Sequence, residues 1–131
     1  MNQKIEDDTQ KADDHILVCL SAAPSNLKII DTAAKMANAL QARFTALYVQ
    51  TGTKAEAADK EKLEEHIRYA EKLGAEIVMT HGENIPVQIA EYARLSNVTE
   101  IVIGQSNARR NHFFSQATLT EKLIELIPDI D

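Results

Sequence analysis

The segment 101–110 combines a buried-strand pattern with residue types that bind phosphate. Three branched apolar residues run into Gly104, a short polar turn follows, and Arg109 and Arg110 close the segment. Thr118 then begins a capping-box pattern, which predicts a helix start. Backbone N–H groups at such a junction point outward, and the helix dipole favours an anion. Since arginine adds bidentate donors, the segment predicts a nucleotide site or, alternatively, an ordinary connection with solvated arginines.

Length and composition limit the class of protein. The 131 residues suffice for one domain with a sizeable core, and 44% apolar with 26% charged residues is ordinary for a globular protein. The net charge of −6 argues against general nucleic-acid binding. No apolar run approaches the roughly 20 residues that span a bilayer, and no signal peptide is visible. The single cysteine, Cys19, lies in an apolar run, which is typical of a reduced thiol in the cytoplasm.

Strand and helix patterns alternate along the chain. Residues 1–14 are acidic and aperiodic, which predicts a disordered lead-in. Continuous apolar runs predict buried strands at 15–20, 44–49, 76–80 and 100–103. Apolar residues at helical spacing follow each strand, so the fold class is α/β, a three-layer α/β/α arrangement with a parallel sheet. The chain stops where a fifth strand is expected, so 15–131 is interpreted as a fragment of a longer protein or, alternatively, as a domain that ends on its last helix.

Local signals predict where helices begin and end and which residues fill the core. Ser25 and Asn84 are expected N-cap residues, and Gly74 is an expected C-terminal stop. Met36 and Met79 are expected to fill the core.

Four short segments occur in an order and spacing that resemble a known family. They are residues 16–21, 44–49, 93–94 with 97–99, and 101–106. Together they resemble the universal stress protein superfamily, and more closely the domain of that type in KdpD sensor histidine kinases. The resemblance spans about residues 15–131. It implies a fold with a fifth strand, truncated here, and a cytoplasmic regulatory domain of a membrane-bound two-component kinase that controls potassium uptake and the osmotic response.

ATP-binding members of this superfamily carry an acidic residue after the first strand and a spaced glycine pattern after the fourth. Here Ser21 occupies the acidic position. Gly104 matches the first glycine and Thr118 the final hydroxyl, whereas Asn107 and Ala117 replace the other two glycines. Because glycine allows the backbone to approach phosphate closely, these departures argue against ordinary ATP binding.

A second pattern is associated with cyclic di-AMP binding in some Gram-positive KdpD proteins. It reads Ser-x-Ser, twenty residues, then Phe-Thr-Ala-x-Tyr. Ser21 matches the first serine and Ala23 replaces the second; residues 24–43 supply the twenty, and Tyr48 ends the match. The resemblance therefore implies cyclic di-AMP as the ligand, with one hydroxyl lost, which is worth roughly 0.5–1.5 kcal/mol if it makes a neutral hydrogen bond.

The predicted site lies where the first and fourth strands flank the topological switch point, since ligands of open α/β sheets bind there. Two roles are open for Tyr48, stacking on a base or donating its hydroxyl. Ser115 and Thr118 are alternatively helix caps without a ligand role. The predicted ligand-binding residues are Ser21, Ala23, Ser25, Tyr48, Gly104, Ser106, Asn107, Arg109, Arg110 and Thr118.

No catalytic residue and no metal site is predicted. His15 and His66 are expected at the surface or at a strand edge, and neither they nor His81 and His112 show metal-ligand spacing. No nucleophile setting, phosphoacceptor motif or kinase ATP lid is visible, so any kinase activity is expected elsewhere in a parent protein.

Three functions stay open. The first is a sensor that binds an adenine nucleotide and signals to other domains of a kinase. The second is a degenerate interaction domain that does not bind nucleotides, and the third is an ATP-binding stress protein. A homodimer is left open, while no nucleic acid and no membrane contact by this piece are expected.

Overall fold

The computed structural model describes residues 14–52, 57–103 and 116–130. In these ranges the strands are β1 (His15–Cys19), β2 (Arg43–Gln50), β3 (Glu76–His81) and β4 (Glu100–Val102). The helices are α1 (Asn26–Leu40), α2 (Ala57–Lys72), α3 (Ile85–Leu95) and α4 (Gln116–Leu126). The predicted alternation of strand and helix is confirmed. The predicted disordered lead-in falls, up to residue 13, outside the described residues.

The four strands form one parallel sheet in the order β3-β2-β1-β4. Ile16 of β1 pairs with Phe44 of β2 on one side and with Glu100 of β4 on the other. The chain therefore leaves β1 toward β2 and later returns to the opposite side of β1. This reversal of strand order between β1 and β4 is the topological switch point expected from the sequence.

Two apolar clusters cover the two faces of the sheet. Alternate residues of β1 point to opposite faces, so Ile16 and Val18 belong to one cluster and Leu17 to the other. The first cluster packs against α1 and α2, and its buried helical residues are Ile30, Ala33, Ala37 and Ala70. The second packs against α3 and α4 through Ile89, Ala90, Ala93 and Leu123. Burial on both faces explains why β1 reads as a continuous apolar run.

Most of the predicted helix signals are confirmed. The Asn84 side chain accepts a hydrogen bond from the Val87 backbone N–H at 3.2 Å, as an N-cap should. Gly74 follows α2 with φ of 101°, which side chains rarely adopt. Ser25 takes the N-cap position of α1, but its side chain makes no capping hydrogen bond. The prediction for Met79 was wrong, because its side chain is 50% exposed on β3 at the edge of the described sheet.

His15 is buried at the amino end of β1, so of its two predicted positions, at the surface or at a strand edge, the surface position was wrong. Its side chain is 1% exposed. Nδ1 lies 3.0 Å from the Ser96 carbonyl, which can only accept, so Nδ1 carries the proton. Nε2 lies 2.7 Å from Thr45 Oγ1 and accepts from that hydroxyl. Burial lowers the pKa of His15 below 6.5, against the opposing effect of the hydrogen bond to Ser96.

We expect this neutral ring to make folding stability depend on pH. Because the pKa of His15 is lower in the folded chain, the unfolded chain binds more protons below the ordinary value of 6.5. The contribution is complete above that value and is lost as the pH falls toward the folded pKa. Urea unfolding between about pH 7 and 5 measures this loss. The variant His15→Gln has no titrating ring at this position, so an equal pH slope in both proteins would contradict the prediction.

Candidate functional site

The carboxyl ends of β1 and β4 lie side by side at the switch point, where Val18 pairs with Val102. The β1–α1 loop (residues 20–25) leaves the sheet at this edge. Ser21, Ala23 and Ser25 are therefore brought together in one loop, as predicted. The predicted site residues Gly104, Ser106, Asn107, Arg109 and Arg110 lie outside the described residues, and of Thr118 only the helical backbone is described.

Asn26 holds the end of β1 to the start of α1. Its side chain is 2% exposed. Oδ1 accepts from the Ser21 backbone N–H at 3.2 Å, and Nδ2 donates to the Cys19 carbonyl at 3.1 Å. One buried amide thus satisfies two backbone groups that lose their ladder partners where the chain leaves the sheet. Asn26 is not among the residues predicted from the sequence, although an asparagine beside a predicted helix start is a usable signal.

Hydrogen bonds within the loop fix its shape further. The Ala23 backbone N–H donates to Ser21 Oγ at 3.2 Å, and the Asn26 backbone N–H donates to the Ala23 carbonyl at 2.9 Å. The Ser21 side chain nevertheless remains exposed. An exposed hydroxyl on an ordered loop can bind a polar ligand, because little conformational entropy is lost when it does so.

His66 reaches this loop from α2, and its predicted surface position was wrong. The side chain is 3% exposed, and Nδ1 lies 2.7 Å from the Ser21 carbonyl. A signal for this burial was present in the sequence. His66 falls on the apolar stripe of α2, which also holds Leu63, Ile67 and Ala70 at helical spacing.

Tyr48 lies on β2 beside the loop. It is the next residue after Leu47, which pairs with Cys19 at the end of β1. The Tyr48 ring is partly buried and packs against the cluster on the α1 and α2 side of the sheet. Phe44 packs against the same cluster, as its strand position predicted. The structure therefore brings Tyr48 next to the loop, while its role toward a ligand stays a prediction.

Cys19 is the last residue of β1 and its thiol is free. Burial raises its pKa to about 12. Since only the thiolate is nucleophilic, we expect iodoacetamide to alkylate the folded chain more slowly than the urea-unfolded chain, by about a hundredfold or more. Mass spectrometry of the labelled protein measures both rates. Equal rates in the two states would show that the thiol is accessible and ionises normally.

In residues 14–52, 57–103 and 116–130, no group of three His, Cys, Asp or Glu side chains could hold a metal ion. In the same part of the chain, no helix has both the length and the apolar character to cross a membrane.

Several curated proteins are similar to this chain in sequence. It is 42% identical over 121 residues to the sensor protein KdpD of Clostridium acetobutylicum, which covers 90% of this chain and 13% of that protein. It is 28% identical over 120 residues to the sensor protein KdpD of Escherichia coli K12, with the same two coverages. The chain thus spans about an eighth of the length of these relatives. No model of a known protein family matches it.

Solved structures show the same fold. A universal stress protein from Archaeoglobus fulgidus has a TM-score of 0.61 at 19% identity, covering 86% of this chain and 91% of that one. A universal stress protein in complex with cAMP has a TM-score of 0.57 at 20% identity, covering 83% and 90%. The Archaeoglobus fulgidus protein in complex with dAMP has a TM-score of 0.55 at 20% identity, covering 86% and 90%.

The parallel sheet, its strand order and these matches define a universal stress protein-like α/β domain. In sequence, the chain is similar to one segment of KdpD sensor proteins. The chain is therefore a universal stress protein-like domain of the KdpD type.

Proposed function

We propose that this chain is a cytoplasmic sensory domain of a KdpD-type histidine kinase and that it binds an adenine nucleotide, cyclic di-AMP. One observation carries the proposal. The two halves of the dinucleotide pattern, Ser21 with Ala23 and the segment ending in Tyr48, are far apart in sequence but adjacent in the fold. Both lie toward the carboxyl edge of the sheet, on the neighbouring strands β1 and β2, and β1 also borders the switch point with β4, where open α/β sheets bind ligands.

The choice of an adenine nucleotide has two supports. Universal stress proteins of the same fold have been solved with cAMP and with dAMP. The chain also offers chemistry suited to such ligands, because Ser21 supplies an exposed hydroxyl on the β1–α1 loop and Tyr48 a partly buried ring on the neighbouring strand β2. Arg109 and Arg110 follow β4 in sequence and are proposed to pair with the phosphates. The two arginines would compensate the negative charge of the phosphates, so the proposal includes no metal.

The proposed role is regulatory. The parent protein would be a membrane-bound kinase of the potassium and osmotic response, and the nucleotide would alter contacts between this domain and other domains of that kinase. Phosphoryl transfer would belong to those other domains. A homodimer of this domain is a further proposal. The number of nucleotides bound per chain, measured in the titration described below, can test it.

A second candidate is a domain that binds other protein segments and no nucleotide. The replacements of motif residues favour it, since Ala23 lacks the second hydroxyl and Asn107 and Ala117 stand where ATP-binding relatives carry glycine. ATP binding in the manner of stand-alone stress proteins is disfavoured by the same glycine replacements.

Calorimetric titration with cyclic di-AMP and, separately, ATP at fixed salt tests the proposal. We expect a dissociation constant on the order of micromolar for cyclic di-AMP and weaker binding of ATP. Arg110→Ala should lower the affinity about tenfold, because a charge-assisted hydrogen bond is lost. Arg94→Ala is the matched control, since Arg94 is exposed in the last turn of α3, toward the opposite edge of the sheet.

A substitution that restores a motif residue gives a second test. Ala23→Ser restores the serine of the dinucleotide pattern at a partly exposed position of the loop. We expect it to raise the affinity for cyclic di-AMP by about threefold to tenfold, the worth of one neutral hydrogen bond. Absence of heat with either nucleotide, from chain shown to be folded and also from Ala23→Ser, would favour the protein-interaction function.

A further inference from the structure

The backbone of Ser21 is held from both sides by side chains of two different helices. Its N–H donates to Asn26 of α1, and its carbonyl accepts from His66 of α2. The hydroxyl of the same residue accepts from the Ala23 backbone N–H. The position of Ser21 therefore depends on a contact that α2 supplies from 45 residues away in the chain.

The hydrogen bond from His66 is directional and short. The ring is 3% exposed, and its Nδ1 lies 2.7 Å from the Ser21 carbonyl oxygen. Since a carbonyl only accepts, Nδ1 must carry the proton, which fixes the tautomer of the ring. A leucine would fill this position of the α2 stripe equally well as an apolar residue, but it would leave the carbonyl without its donor.

We propose that His66 is a positioning residue of the ligand site. Through the Ser21 carbonyl it holds the β1–α1 loop in the shape that presents the Ser21 hydroxyl to an adenine nucleotide. This inference rests on the proposed nucleotide function. His66 itself touches no ligand in this scheme, and it acts only through the loop.

The tautomer of His66 can be measured on the unaltered chain. Long-range proton–nitrogen correlation spectra at alkaline pH distinguish the two neutral forms of a histidine ring. The proposal requires the form protonated on Nδ1, with that proton protected from exchange with solvent. A His66 ring protonated on Nε2 would overturn it.

Two substitutions then separate positioning from simple packing. In His66→Asn, the amide nitrogen is bonded to Cγ as Nδ1 is, so a donor remains near the Ser21 carbonyl. His66→Leu keeps apolar bulk without a donor, and asparagine and histidine have similar helix propensity. We expect amide hydrogen exchange in residues 20–25 to be about tenfold faster in His66→Leu and within about threefold of the parent chain in His66→Asn.

Either of two exchange results would overturn the proposal. One is loop exchange in His66→Leu as slow as in the unaltered chain, and the other is no rescue in His66→Asn. If His66→Leu does not fold, His66→Gln replaces it as the variant without a donor at the Nδ1 position. The glutamine amide lies one carbon further from the backbone than histidine Nδ1 does.

Titration of the same variants with cyclic di-AMP distinguishes failure of this inference from failure of the proposed function. An affinity about tenfold lower in His66→Leu, restored in His66→Asn, supports both. Unchanged affinity in His66→Leu overturns the positioning role and leaves nucleotide binding standing. If the unaltered chain binds no nucleotide, the role of His66 in ligand binding is overturned together with the proposed function, and the exchange data then describe loop structure only.

Discussion

Replacing Leu17 by alanine is expected to lower the free energy of unfolding by about 2–5 kcal/mol. Leu17 is fully buried in β1, the strand that pairs with both β2 and β4. Its side chain belongs to the cluster that joins the sheet to α3 and α4, in which Leu47 and Ile89 are 1% exposed. The truncation removes three carbon atoms from this core and leaves a cavity, because neighbours on two packed layers cannot all close in.

The matched control for this prediction is Leu95→Ala. Leu95 is the last residue of α3 and is 83% exposed, so the same truncation there should change stability by less than about 0.5 kcal/mol. Urea unfolding followed by circular dichroism measures both variants at the same pH. Similar losses in the two variants would mean that the cluster around Leu17 does not carry the stability assigned to it.

The second large effect is expected at Asn26. Its replacement by alanine should cost about 2–4 kcal/mol, because the Ser21 N–H and the Cys19 carbonyl each lose a buried partner. Amide exchange of Ser21 should accelerate as well, since its N–H would then be open to solvent. If the loop forms the ligand site, we expect Asn26→Ala to lower the affinity for nucleotide as well.

Two further variants make the Asn26 prediction specific. Asn38→Ala is the control on the same helix, because the Asn38 side chain is exposed and the substitution should be neutral or slightly stabilising. Asn26→Asp keeps an acceptor for Ser21 but sets a buried carboxylate oxygen against the Cys19 carbonyl, so its loss should be at least as large as that of Asn26→Ala. Losses of equal size for Asn26→Ala and Asn38→Ala would contradict the bridging role.

The proposed site was only partly predictable from sequence. The loop after β1 and its neighbour Tyr48 were identified because both belong to a spaced pattern and both follow strand signals. Asn26 and His66, which shape that loop, were missed. Each works through a hydrogen bond to a backbone group that has no residue type of its own, so the local signals at these two positions did not reveal their partners. The contributions of Gly104 and the two arginines stay predictions.

By itself, the sequence determined the order of the elements, the parallel sheet and the helix ends at Gly74 and Asn84. These features follow from local rules, since apolar period and turn chemistry act over a few neighbouring residues. Only the tertiary structure decided which polar residues are buried. His15 meets Thr45 and Ser96, and His66 meets Ser21, across 30 to 81 positions of the chain. Such partners exist only after the strands have paired and the helices have packed. The apolar stripe of α2 could indicate that His66 is buried, but only the fold decides which group each ring contacts.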